Sequence, residues 1–329
     1  MKQESISIKE IAELAGTSVA TVSRVIHQNG RFSKETEERV RRVIEEYGYQ
    51  PNVLAQGLRQ DKTHLIGVIV PDITHIFFAR LFRAIELQLY QRGYLAILCD
   101  TNESDGLESL YVEQLKNMRF SGLIYMNGNP QKAFIPGLAT VYLDRYPLNG
   151  NPNNMYFIGS DNYQAGYLAA EALMKAGRTH PAIVTIEHQE VTQQRRNEGF
   201  CACLREHGLS PIHTDSLNVD RSSYEAGCLV TASLLDSHPE CDSIYYTSDV
   251  LAHGGMQYLR EHSIRIPQDI ALVGMDDIPA SASYNLTTIR QQTQELGMLA
   301  ADTIIRLIEG EEVPRQQILS VELVERGTV

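Results

Sequence analysis

The tightest constraint on this chain lies near its start, where two short helices are joined too closely to lie antiparallel. Ser7-Ile8-Lys9-Glu10 is a capping box, so a helix begins there. Ile8, Ile11, Ala12 and Ala15 recur at helical spacing, and Gly16 closes the helix. Ser18 caps a second helix after a short turn, so the pair must cross steeply as a helix-turn-helix. Val22, Val25 and Ile26 cluster on one side of the second helix, and Ala20, Ser23, Arg24 and His27 fall on the other. Such a face suits a DNA major groove: small residues allow close approach and an arginine can fork onto guanine. An ordinary solvated face on a small helical bundle is the competing reading of these two helices alone.

Ser33 starts a third helix, with Glu35, Glu37 and Glu38 early and Arg39, Arg41 and Arg42 later, a charge order that matches the helix dipole. Val40, Val43, Ile44 and Tyr47 supply its core side. Gly48-Tyr49-Gln50-Pro51-Asn52 breaks it, and Asn52 to Arg59 is one more short helical candidate. Three stretches then carry a resemblance: Ser18-Val19-Ala20-Thr21-Val22-Ser23-Arg24-Val25, Gly48-Tyr49-Gln50-Pro51-Asn52, and Ile66-Gly67-Val68-Ile69-Val70-Pro71-Asp72-Ile73. With them the chain resembles the lactose-repressor/galactose-repressor (LacI/GalR) family of bacterial transcription regulators along essentially its whole length. The resemblance implies a DNA-binding set of Ser18, Val19, Ala20, Thr21, Ser23, Arg24, His27, Arg31, Asn52, Ala55 and Leu58. Within it Arg24 reads a base, Val19 and Ala20 set operator preference, and Leu58 at the end of a hinge helix wedges into the minor groove.

Charge is divided unevenly. The formal net charge is -12, yet residues 1–62 carry ten Lys/Arg and nine Asp/Glu, for +1, leaving -13 on residues 63–329. That division suits a modular DNA binder rather than a general DNA coat. The five cysteines are odd in number and scattered, so they read as reduced structural thiols; neither a metal nor a cofactor is implied. No stretch is apolar enough to span a bilayer and the N-terminus lacks the apolar core of a signal peptide, so a cytoplasmic protein is expected.

From Leu65 the pattern changes to strand-helix alternation. Leu65 to Val70, Leu95 to Cys99, Gly122 to Tyr125, Thr140 to Leu143, Tyr156 to Gly159, Ala182 to Ile186, Ser243 to Tyr246 and Ile270 to Val273 read as strands. Helices fall between, including Phe77 to Gln91 and Asp105 to Met118. The expected fold is therefore an all-α helix-turn-helix headpiece plus an α/β body of two doubly wound parallel-sheet subdomains, like periplasmic binding proteins. The divisions are 1–50 for the headpiece, 51–62 for hinge and linker, and 63–329 for the body. By resemblance, the helix near Gln294 to Glu309 crosses back, giving an N-subdomain of about 63–160 plus 292–321 and a C-subdomain of about 161–291 plus 322–329.

Ligands of such sheets sit beyond the carboxyl ends of strands. There the sequence places Phe77 and Phe78, read as an apolar platform or as helix core, and Asp144. Arg196 lies in Arg196-Asn197-Glu198-Gly199-Phe200, which resembles the family's Arg-x-x-Gly-aromatic element. Ser248 stands where the family often has asparagine, and Asp276 lies in Gly274-Met275-Asp276-Asp277. The family usually has Asn-Pro where His75-Ile76 stand. Carboxylates and a guanidinium converging on one cleft suit a polyhydroxylated effector, a sugar or sugar derivative. A purine or a regulatory phosphorylated carrier protein stays open as a partner. A periplasmic receptor would need a secretion signal and no headpiece, and the common nucleotide and hydrolase motifs of an α/β enzyme are absent. A homodimer on a near-palindromic operator is expected, since one small headpiece buries too little surface for tight specific binding and the chain ends without a heptad-bearing tail.

Overall fold

Serine caps punctuate the start of the chain. Ser7 accepts the Glu10 amide while its own amide donates to Glu10 at 2.7 Å, opening α1 (Ile8–Leu14). Ser18 opens α2 (Val19–His27) and Ser33 opens α3 (Lys34–Tyr47), each accepting an amide from the third residue on. In this computed structural model the described residues are 6–49, 63–127, 137–145, 155–185, 191–213 and 222–329. Residues 1–63 and 64–329 form separate compact units.

The three helices enclose a small core of Ile11, Ala12, Ala15, Val22, Val25 and Val40. Val43 and Ile44 pack against it, but Tyr47, read from the sequence as a core residue, is 49% exposed; Tyr49, beyond the Gly48 cap, packs there instead. The charge order of α3 also needs correcting. Its last turn holds no basic residue, ending in Glu45 and Glu46, so the dipole is complemented at its N-terminus only. The arginines instead pair one turn back, Arg39 with Glu35 and Arg41 with Glu37.

The body holds two six-stranded sheets. In the first, β1 (Leu65–Val70) lies between β2 (Leu95–Asp100) and β3 (Gly122–Tyr125), followed outward by β4 (Ala139–Leu143), β5 (Tyr156–Ser160) and the late strand β11 (Gln316–Leu319), all parallel. The second runs β7 (Ile212–His213), β6 (Pro181–Val184), β8 (Ser243–Tyr246), β9 (Ala271–Asp276), β10 (Thr288–Arg290) and β12 (Glu322–Val324), with only β12 antiparallel. The strand read as Ala182 to Ile186 is therefore β6, ending at Val184, and Ile186 lies outside the described residues. Every residue of β1 and β9 is buried, as parallel strands covered on both faces must be.

The helices covering the first sheet are α4 (Ile76–Gln91), α5 (Asp105–Asn117) and α11 (Thr293–Glu309). One side of the sheet packs on Phe77, Leu81 and Ile85 of α4 together with Leu296, Ala300 and Ile304 of α11. The second sheet is covered by α6 (Asn162–Lys175), α7 (Val191–Glu206), α8 (Tyr224–Ser237) and α9 (Asp249–Glu261), with the short α10 (Pro279–Ser283) after β9. The chain thus passes between lobes after Ser160, near Gln291 and again between Leu319 and Glu322. Neither α8 nor α9 is among the helices named from the sequence; both are interrupted by glycine, and α8 is also weakly patterned.

One contact in the second lobe bears directly on the site. Where α6 crosses α7, a Cβ at Gly166 would overlap the Arg196 carbonyl, and one at Gly199 would overlap the Tyr163 carbonyl. Only paired glycines let the two backbones meet, and that approach sets Arg196 beside Asn162. Gly199→Ala must push the helices apart, so chemical denaturation should show a loss of about 1–3 kcal/mol, the usual cost of overpacking. Unaltered stability would mean that the crossing relaxes freely.

Candidate functional site

The exposed face of α2 carries Ala20 and Arg24, with Ser23 half-buried beside them. Ser18 and Thr21 are joined hydroxyl to hydroxyl at 2.9 Å, so part of their hydrogen-bonding capacity serves the cap. Val19 leans on the headpiece core and is half-buried. The aliphatic stem of Arg24 lies against Gly30, where an added Cβ would stand 3.2 Å from Cδ. Its guanidinium stays on the exposed side, and Arg31 is exposed in the following loop. His27 is the last residue of α2. Asn52, Ala55 and Leu58 lie outside the described residues.

In the body, the carboxyl ends of both sheets face one cleft with a residual cavity of about 50 Å³. Phe77, Phe78 and Asp144 line it from the first lobe, and Arg196, Ser248 and Asp276 from the second. All six residues named from the sequence thus line one space. Phe77 and Phe78 belong to the core and to the cavity wall at once, meeting edge to face at 5.3 Å. The Arg145 guanidinium lies 5.0 Å over the Phe78 ring and pairs with Glu103 at 3.7 Å.

Arg196 is 5% exposed. Its Nε donates to Asn162 Oδ1 at 2.8 Å and its Nη1 to the Thr247 carbonyl at 2.9 Å, fixing the guanidinium from within its own lobe. Asp276, also 5% exposed, accepts from Gln291 Nε2 at 2.8 Å. Burial raises its carboxyl well above the usual carboxylate range, and the Arg196 charge only partly opposes this. Asp276 and Asp277 both have positive φ, 113° and 50°, a turn that sends neighbouring carboxylates in different directions. At Asp277 burial works against ionisation, but Arg326 and Arg290, at 2.6 and 2.8 Å, outweigh it and hold the carboxyl below its usual range. The two carboxylates therefore sit in different surroundings, Asp276 facing the cleft and Asp277 held in ion pairs.

Asp249 is structural in its contacts. It accepts from Thr288 Oγ1, Ser281 Oγ and the Ile278 amide, and burial lifts its carboxyl to about 7. Ser248 caps α9 and receives a 2.6 Å hydrogen bond from Ser222. The sequence reading did not name His75, Gln193 or Gln291 as site residues, yet all line the cavity. The His75-Ile76 departure from the family pattern was the one signal for the first of them. No group of His, Cys, Asp and Glu among the described residues is arranged to hold a metal, and all five cysteines are free. No described helix is long and apolar enough to cross a membrane.

Comparison with known proteins converges on one family. Residues 7–52 match the family model of bacterial regulatory proteins of the lacI family. Residues 63–326 match the model for periplasmic binding proteins and the sugar-binding domain of the LacI family. The ribose operon repressor of Halalkalibacterium halodurans is 34% identical over 92% of this chain and 90% of its own length. That of Escherichia coli K12 is 31% identical over 98% of this chain and 99% of its own. A crystal structure of the Lac repressor bound to ONPG in the repressed state superposes with a TM-score of 0.89, at 27% identity, over 99% of this chain and 100% of that one. With a matched headpiece, a matched body and relatives aligned nearly end to end, the chain belongs to the LacI family of bacterial transcriptional regulators.

Proposed function

We propose that this chain represses carbohydrate-utilisation genes as a cytoplasmic homodimer, its operator affinity set by a monosaccharide held between the two lobes of the body without being chemically altered. The observation that carries this reading is the convergence of Phe78 and Asp144 from one lobe with Arg196 and Asp276 from the other on a single cavity. A ligand touching both lobes favours one closure angle, and only such differential affinity shifts a conformational equilibrium. In the proposed division, 1–50 is the DNA-binding headpiece, 51–62 the hinge and 63–329 the effector body. Closure alters the spacing of the paired hinges, and with it insertion of Leu58 into the operator.

The charge lining the cleft supports a neutral polyol over a phosphorylated sugar. Arg145 and Glu103 pair with each other, and of the remaining groups Asp72 and Asp144 outnumber Arg196. D-ribose is the first candidate, because two of the relatives are named ribose operon repressors. A thermal-shift screen of the full chain with D-ribose, sucrose and hypoxanthine tests this: D-ribose should raise the melting temperature and the others should not. A shift with hypoxanthine alone would select a purine effector instead.

Two further outcomes follow from residue roles. Arg24→Ala should lose roughly 1–3 kcal/mol per half-site on the operator, and less on random DNA, in fluorescence-anisotropy titrations. Equal losses on both would assign Arg24 to phosphate contact only. Arg196→Ala and Asp276→Ala should still bind operator but lose the ligand response, typically a ~5–150-fold change in occupancy. A wild-type response in both variants would misplace the effector site.

A further inference from the structure

His75 occupies the N-cap position of α4, yet its side chain makes no cap hydrogen bond. The imidazole instead reaches across the cleft, with Nε2 3.3 Å from Ser222 Oγ and 3.5 Å from Ser248 Oγ. Ser222 spends its single hydroxyl hydrogen on Ser248, 2.6 Å away. Ser222 has no further hydrogen to give, so the 3.3 Å contact is a hydrogen bond only when His75 donates it, as Nε2–H to Ser222 Oγ. A neutral histidine has only one N–H, so Nδ1 is left as a bare lone pair. That atom is sealed from solvent and has no partner. On the opposite lobe, Gln193 Oε1 is a second buried acceptor without a partner, and both side chains line the cavity. Orphaned acceptors in one cleft call for a ligand that brings hydrogen-bond donors.

We infer that His75 is a specificity-determining residue of the effector cleft, clasping Ser222 through Nε2–H and so holding Nδ1 as the acceptor for a ligand hydroxyl. The assignment rests on the effector reading of the cleft. It differs from a contact to a flat platform or to a charged group, since a bare imidazole nitrogen accepts from a hydroxyl and repels a phosphate oxygen. Surrounding charges agree with a neutral ring. Burial, then Arg145, lowers the pKa of His75 to about 4, with Arg196 adding to that effect and Asp72 and Glu103 opposing it. The ring touches Phe78 at 5.5 Å, which fixes its plane beside the platform.

The test has a ligand-free arm and a ligand arm, both on the full chain. In the first, nitrogen-15 NMR of the histidine rings at pH 6.0 is assigned by loss of one signal in His75→Gln. An ordinary histidine is about three-quarters protonated at that pH. His75 should instead be neutral with its proton on Nε2, and Ser222→Ala should shift that tautomer balance. In the second arm, calorimetric titration with D-ribose should show His75→Phe binding roughly ten-fold or more weakly. His75→Gln, which keeps one donor and one acceptor, should recover part of the loss. Circular dichroism confirms that each variant is folded; Ser222→Ala, a smaller change, should still lower affinity where His75→Phe fails to fold. A charged ring at pH 6.0, a proton on Nδ1, or wild-type affinity in His75→Phe overturns the assignment. Failure of the wild type to bind D-ribose overturns the ligand contact together with the ribose reading of the cleft, while the tautomer still decides the clasp.

Discussion

A guanidinium buried between two apolar cores is the constraint on which the cleft depends. A buried guanidinium has five N–H donors and no acceptor of its own, so its burial requires acceptors in fixed places. Asn162 Oδ1 and the Thr247 carbonyl supply them, both from the second lobe. Arg196 is therefore held whether or not the first lobe is close. Its α7 backbone can reach that position only because Gly166 and Gly199 let two helices touch. A helix crossing within the second lobe thus sets where the guanidinium stands in the cleft.

Asp276 answers to a different constraint. Its carboxylate is tied by Gln291 Nε2, and the other end of the same amide accepts from Ser160 Oγ at 2.7 Å. Ser160 ends β5 and Gln291 follows β10, so this amide joins two of the segments where the chain passes between lobes. Asp276 is thus one end of a hydrogen-bond chain that runs through Gln291 to Ser160 at the interlobe crossover. Outside the cleft, Arg80 of α4 reaches the Asp277 carbonyl at 3.2 Å, and Asp277 is pinned in turn by Arg290 and Arg326. Two adjacent aspartates thus divide the work: one faces the cleft and the interlobe crossover, the other anchors the β9 turn to β10 and the C-terminal segment.

Much of this was legible in the sequence because it is written in local patterns. Serine caps, glycine stops and unbroken apolar runs placed all three headpiece helices and most strands. The strand-end rule pointed to Asp144, and the family resemblance added Arg196, which lies within α7, and Asp276. The family resemblance supplied the return of α11 to the first sheet, which no local pattern encodes. Legibility ended where contacts are remote in sequence. His75 and Ser222 are 147 residues apart, and Ser160 and Gln291 are 131 apart; nothing in either neighbourhood announces its partner. Tyr47 was misread for a narrower reason: helical spacing put it in line with Val40 and Ile44, but Gly48 turns the chain and lets Tyr49 take the place over the core.

The charge balance gives the last step. Residues 1–62 have a net charge of only +1, so a single headpiece has little electrostatic hold on DNA and little counterion release to gain. The body, at -13, adds repulsion rather than attraction. Net charge therefore adds little sequence-independent attraction, and discrimination falls on the contacts that the headpieces make with bases. Such a protein is well placed to be switched. When sequence-independent binding contributes little, a coupling of ~1–3 kcal/mol between cleft and hinge is a large share of the difference between bound and free operator. A strongly basic headpiece would bury the same coupling beneath a background of binding that no ligand could reverse.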